Sequence, residues 1–125
     1  MFINLSNHPS KKWSDKQRER AAEYGEIIDI PFPSVDPYFN ERQIEEMAID
    51  NVTKVLSMRP DAVLCQGEYS LTYLLSMLLI EAEIKVLIAT TKRTSVESPN
   101  ENGQIITTRV FEFIQFREVG VRGGK

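Results

Sequence analysis

Ile84-Lys85-Val86-Leu87-Ile88-Ala89-Thr90-Thr91-Lys92-Arg93 runs from apolar residues straight into two hydroxyls and two cations. Ile84 to Ile88 reads as a buried strand of a parallel sheet, because strands covered on both faces are near-continuous apolar runs. Ala89 to Arg93 then reads as the loop that such a strand delivers to its carboxyl edge. In open α/β sheets the crevice beyond those edges is the usual binding site, and Lys and Arg beside Thr hydroxyls suit a phosphate. The expected ligand is anionic and phosphate-bearing.

Working outward, Phe2-Ile3-Asn4-Leu5 is a first strand, followed by the turn formers Ser6-Asn7-His8-Pro9-Ser10. Ser14-Asp15-Lys16-Gln17 has the capping-box pattern and starts a helix that Tyr24-Gly25 ends. Ile27 to Ile30 is a second strand, stopped by Pro31-Phe32-Pro33 and Asp36-Pro37. Asn40-Glu41-Arg42-Gln43 repeats the capping box and opens a helix to Met58, with Ile44, Met47, Ala48, Val52, Val55 and Leu56 on one face. Ala62 to Cys65 is a third strand, and Gln66-Gly67-Glu68-Tyr69-Ser70 turns it into a largely apolar third helix to about Ala82. Strand-helix pairs in this order imply a parallel sheet wound by right-handed crossovers. Thr94 to Glu97 and Ile105 to Arg117 flank Asn102-Gly103, a type I′ hairpin signal, so a C-terminal antiparallel ribbon is expected. The fold class is α/β: a Rossmann-like parallel sheet with flanking helices and a C-terminal β-hairpin.

A chain of 125 residues, 42% hydrophobic and 26% charged, makes one domain, set here at 1–118 with a flexible Gly-rich tail at 119–125. Fifteen Lys and Arg against 18 Asp and Glu leave a net charge of -3, which argues against coating duplex DNA and confines any nucleotide site to a local patch. The single cysteine, Cys65, lies in an apolar run and points to a reducing, cytoplasmic setting. Leu71 to Ile80 is about half the roughly 20 residues a membrane span needs, so no membrane contact is expected. One His and one Cys cannot supply a zinc set, and Asp29, Asp36, Glu68 and Glu97 are too scattered for a metal pair; neither metal nor cofactor is expected. GxGxxG and Walker motifs are absent, which argues against dinucleotides and nucleoside triphosphates.

Gln66, Gly67, Glu68 and Ser70 stand where a strand meets a helix, so Gly67 can admit backbone to a ligand that the helix amides face. The competing reading is that Gly67 only makes a tight turn and Ser70 or Thr72 only caps. The ligand reading is preferred because the loop adjoins two others of similar polarity at a switch point. His8 is the only imidazole for acid-base work, although a lone surface histidine is more often simply solvated. Trp13 and Phe32 read mainly as core, and Phe111, Phe113 and Phe116 as sheet packing, with Arg109 and Arg117 available for anions or a subunit partner.

Gln66-Gly67-Glu68 after a strand, then Ala89-Thr90-Thr91-Lys92-Arg93 with Glu97 downstream, then Arg109-Val110-Phe111 and Phe116-Arg117 make a specific set. It resembles the small CRISPR-associated proteins of type III systems that have a Rossmann-like, CARF-related fold and act as ring nucleases or cyclic oligoadenylate binders in antiviral defence. The likeness covers residues 60 to 118 and extends to the amino-terminal half in architecture only.

The resemblance implies a homodimer, or a higher assembly, that binds cyclic tetra-adenylate across a two-fold axis. It also implies that Thr90, Thr91, Lys92 and Arg93 grip phosphate and ribose, that Gly67 and Glu68 line the floor, and that Ser6, Asn7 and His8 close over adenosine. Glu68 departs from the aspartate of relatives. Cleavage in such proteins is metal-independent: a ribose 2′-hydroxyl attacks the neighbouring phosphate in line and leaves a 2′,3′-cyclic phosphate. Lys92 or Arg93 would stabilise the pentacovalent phosphate, and His8 would protonate the leaving 5′-oxygen. Two other functions share these residues: a non-catalytic binder that sequesters the messenger, and a nucleotide-sugar or nucleoside-processing enzyme. A charged loop that serves only protein contacts would leave the same sequence trace.

Overall fold

The computed structural model describes residues 1–123. Strand β1 (Phe2–Ser6) leads through a 3-10 turn (Ser10–Lys12) to helix α1 (Asp15–Ala22) and strand β2 (Ile27–Pro31). Helix α2 (Glu41–Met58), strand β3 (Ala62–Gln66), helix α3 (Tyr69–Glu81) and strands β4 (Val86–Pro99) and β5 (Ile105–Glu118) follow. The sheet order is β2-β1-β3-β4-β5, with β5 alone antiparallel. The chain leaves β1 toward β2 on one side and re-enters at β3 on the other, so the switch point lies between the carboxyl ends of β1 and β3, at the register pair Ser6 and Gln66.

Alternation along the strands sends successive side chains to opposite faces. Ile3, Leu5, Val63, Cys65 and Val86 pack with Ile44, Val52 and Val55 of α2 and Leu71, Leu75 and Leu79 of α3. Phe2, Ala62, Leu64 and Leu87 face the other way, onto Trp13 and Ala21 of the α1 segment. Two long helices cover the first face, whereas α1 has only 8 residues and leaves the carboxyl half of the second face open. That uncovered half positions the site.

The capping box at Asn40 forms in full: its side chain accepts from the Gln43 N–H and the Gln43 side chain accepts from the Asn40 N–H. At Ser14 only half forms. The hydroxyl accepts from the Gln17 N–H at 3.2 Å, and α1 ends at Ala22, one turn earlier than Gly25 signals.

The largest departure from the sequence reading is at β4. Ala89-Thr90-Thr91-Lys92-Arg93 is not a loop but the middle of a 14-residue strand, paired residue by residue with β5. The physical reason is that β4 outruns its parallel neighbour: it pairs with β3 only at Val63↔Val86 and Leu64↔Leu87, and beyond that β5 is its one strand partner. Water wets both faces of the resulting two-stranded ribbon, so polar β-formers such as Thr replace the apolar run without ending the strand. The ribbon turns over Glu101-Asn102-Gly103, not through a two-residue type I′ loop. Gly103 N–H donates to Asn100 O at 3.0 Å, Asn100 N–H donates to Gln104 O at 2.7 Å, and only Gly103 has positive φ (77°), whereas type I′ needs two such residues.

A bulge shifts the β4–β5 register between Thr90 and Thr91, whose partners are Gln115 and Phe113, and leaves Ile114 unpaired. Phe113 and Phe116 therefore share one face, with ring centroids 4.9 Å apart. Val119 N–H donates to Val86 O at 3.0 Å, so the tail read as starting at 119 is anchored at its first residue; Gly124 and Lys125 lie outside the described residues.

Candidate functional site

The uncovered half of the α1 face holds a cleft of about 540 Å³. Leu64, Ala89 and Phe113 form its floor; His8, Lys12, Trp13, Ser14 and Gln17 form one wall; Thr91 and Phe111 form the other, with Ser6 and Gln66 at the switch point between them. This volume lies within the range of roughly 300–1,000 Å³ usual for small-ligand sites.

The His8 wall is built on a buried polar network. Asn4, 1% exposed, donates from Nδ2 to His8 O and to Asp29 Oδ1, each at 2.9 Å, and its Oδ1 accepts from Ser6 Oγ at 2.6 Å. Trp13 Nε1 also donates to His8 O (3.1 Å), and Ser6 Oγ accepts from His8 N–H (3.2 Å). Asp29 in turn accepts from Ser10 N–H and Ser10 Oγ. The loop backbone is thus fixed at several points while the imidazole stays exposed. Such bracing preorganises a group that must meet a ligand. Ser6 is occupied by the network, and Asn7 lies in a neighbouring depression with Pro9, Lys11 and Asp29.

Gln66 serves as a clamp. Its Oε1 accepts from Ala89 N–H at 2.9 Å, where the β3–β4 ladder has stopped, so a side chain satisfies a backbone group that the sheet does not. Gly67 does not line the cleft. A Cβ there would stand 2.4 Å from the Phe32 ring, so glycine is required by the packing of that buried phenyl. Glu68 is the cap of α3: its carboxylate accepts from Leu71 N–H at 2.8 Å and from Ser70 Oγ at 2.6 Å. The Ser70 hydroxyl first, and then the Leu71 N–H, hold the Glu68 carboxyl below the usual glutamate range. Glu68 and Ser70 lie outside the cleft lining, and the cap is Glu68, not the Ser70 or Thr72 weighed against ligand contact.

The four-residue segment Thr90 to Arg93 splits between two faces. Cross-strand partners share a face, so Thr91 and Arg93, opposite Phe113 and Phe111, stand on the cleft side. The Arg93 guanidinium lies over the Phe111 ring, 5.2 Å from its centroid. Lys92, opposite Glu112, and Thr90, whose Oγ donates to Gln115 O, stand on the other side. Arg109, opposite Ser95, shares the cleft side but sits further out along the ribbon.

Lys12, Ser14 and Gln17 join the site without having been singled out. In the sequence Ser14 and Gln17 show only as a capping box, and Lys12 ends the 3-10 turn that leads into it. Phe111, read as sheet packing, is 59% exposed and forms cleft wall instead. Trp13 and Phe113 are core residues that also border the cleft. Among the described residues no three His, Cys, Asp or Glu come together as a metal site, and no helix is long and apolar enough to cross a membrane.

Fold and cleft define a small Rossmann-like α/β domain with an aromatic, cation-bearing cleft at its topological switch point. Residues 1–117 match the family described as uncharacterized protein MJ1673, and the chain belongs to that family. No curated protein and no solved structure gives a significant match.

Proposed function

We propose that the cleft binds a cyclic oligoadenylate, cyclic tetra-adenylate in particular, and that a cytoplasmic homodimer of the chain opens this ring and so ends type III CRISPR signalling. The observation that carries the reading is the composition of the two walls. Lys12 and His8 on one side, and Arg93 stacked on exposed Phe111 on the other, offer charge to a phosphodiester and an aromatic face to a base. Of the segments that resemble ring nucleases, Gln66, Thr91 and Arg93 stand on the cleft side and support the choice of ligand.

In this mechanism a ribose 2′-oxygen forms a bond to the adjacent phosphorus as the bond from phosphorus to the 5′-oxygen breaks. The 2′-hydroxyl proton leaves to water, and the 5′-oxygen takes a proton from the His8 imidazolium. Lys12 and Arg93 offset the charge that builds on the phosphoryl oxygens. Lys12 takes over the role given to Lys92, which stands on the opposite face of the ribbon from His8. Losing one such preorganised donor typically costs 10²- to 10³-fold in rate.

Single-turnover incubation of the protein with labelled cyclic tetra-adenylate in EDTA tests the proposal. The expected product is linear oligoadenylate ending in a 2′,3′-cyclic phosphate. Stoichiometric binding with no product over hours refutes cleavage and leaves a sequestering protein. Thermal stabilisation by mononucleotides and not by the cyclic tetramer refutes the ligand and favours a nucleoside-processing enzyme.

A further inference from the structure

The cleft is open at its outer end. Beyond Phe111 the same face of the ribbon continues through the pair Ser95 and Arg109, and Arg93, Ser95 and Arg109 are all exposed. Arg109 stands diagonal to Arg93, and diagonal cross-strand neighbours are about 7–8 Å apart. Along each strand same-face residues recur at about 6.8 Å, close to the step between phosphates of an extended single strand. Cleft and ribbon face together form one track, with Lys12 in its inner part and Arg109 at its outer end.

The charge on this track has one sign. The chain as a whole is acidic, at -3, yet neither the cleft lining nor the ribbon face out to Arg109 carries a carboxylate. Among the described residues Lys12, Arg93 and Arg109 make no ion pair, whereas Arg18, Arg20 and Arg42 each meet a carboxylate. Glu97, diagonal to Arg109 on its outer side and not paired with it, ends the run. Neighbouring arginines repel each other, and a chain of phosphates laid along them offsets that repulsion. Between Lys12 and Arg109 stands the Phe111 ring, 59% exposed, with the Arg93 guanidinium over it. A ring under a guanidinium is a platform on which a base stacks.

We propose that this track binds a linear single-stranded nucleic acid, with successive phosphates at Lys12, Arg93 and Arg109 and a base stacked at Phe111. Charge complementarity selects a polyanion. A track that runs on past the cleft along the ribbon selects a linear strand over a compact anion. The exposed aromatic platform selects unpaired bases over a duplex, whose bases are already stacked on one another. Contacts to phosphate and to the face of a base tolerate any sequence. The inference shares the cleft with the proposed function but needs neither a ring nor its cleavage, and the residue it adds is Arg109.

The test is fluorescence anisotropy of a labelled ten-nucleotide oligoadenylate RNA at salt from 50 to 200 mM, with the same sequence as DNA in a second arm to distinguish the two sources of single strand. Three phosphate contacts give log affinity a slope of about -2.1 against log salt, an affinity loss of about 18-fold across that range. Arg109→Ala is expected to weaken binding and to reduce the slope to about -1.4. Phe111→Ala is expected to weaken binding at least about fivefold with the slope kept and circular dichroism unchanged. Lys92→Ala removes a cation from the opposite face of the ribbon and is expected to match the wild type. No binding of either strand, an unchanged slope in Arg109→Ala, an equal loss in Lys92→Ala, or a duplex that competes as well as the single strand overturns the proposal. A wild type that binds the linear strand as expected but ignores cyclic tetra-adenylate overturns the ring reading and leaves the track standing.

Discussion

Replacing Asn4 by Ala removes the centre of the network that fixes the His8 loop. The side chain is buried and makes three hydrogen bonds, to His8 O, Asp29 Oδ1 and Ser6 Oγ. A neutral hydrogen bond contributes about 1 kcal/mol net and one to a charged acceptor about 1.5–3 kcal/mol. The partners keep other contacts: His8 O still accepts from Trp13 and Asp29 from Ser10. That places the loss near the low end, roughly 3 kcal/mol. For a 125-residue domain this lowers Tm by roughly 10 °C, at an unfolding entropy of about 2.1 cal/mol/K per residue. Thermal unfolding followed by circular dichroism gives the global figure. Trp13, the only tryptophan, reports the loop, because its Nε1–H shares the His8 carbonyl with Asn4 and its emission should change in the folded variant. A Tm within about 2 °C of wild type with unaltered emission would refute the claim that Asn4 braces the loop.

Gly67→Ala is expected to lose about 1–3 kcal/mol in urea unfolding, because the new methyl meets the Phe32 ring; combining it with Phe32→Leu should recover part of the loss. Glu68 should make stability depend on acid: its folded pKa is lowered, so the contribution is complete above the ordinary glutamate value near 4.5 and is lost as pH falls through the folded pKa. Glu68→Gln should therefore flatten the wild-type stability profile below that pH, and parallel profiles would count against the cap. Burial pushes the Cys65 thiol up to about 11, so a thiol-titrating reagent at pH 8 should label it only after denaturant is added; rapid native labelling would contradict its place in the core.

The parallel sheet was legible because each of its elements carries its own punctuation. The Asn40–Gln43 capping box, Gly25 and Arg59-Pro60 separate runs whose periodicity names helix or strand. The ribbon was harder to read, since strand alternation shows only where one face is dry, and Thr90 to Ser95 are wetted on both. The error moved function as well as fold. A loop would have let Lys92 and Arg93 reach the same phosphate, whereas a strand sends adjacent residues to opposite faces. Lys12 and Gln17 enter the cleft only because β4 outruns β3 and α1 is short, and both are tertiary facts.

The central claim is that Lys12 in one wall of the cleft and Arg93, over the Phe111 ring of the other wall, hold the phosphodiester. Titrating cyclic tetra-adenylate against the emission of Trp13, which borders that cleft, tests it most directly. The account predicts a saturable change that weakens at least tenfold in Lys12→Ala and in Arg93→Ala, each step of about 1.4 kcal/mol, and stays at wild-type affinity in Lys92→Ala. No saturable change in the wild type, or an equal loss in Lys92→Ala, would contradict it.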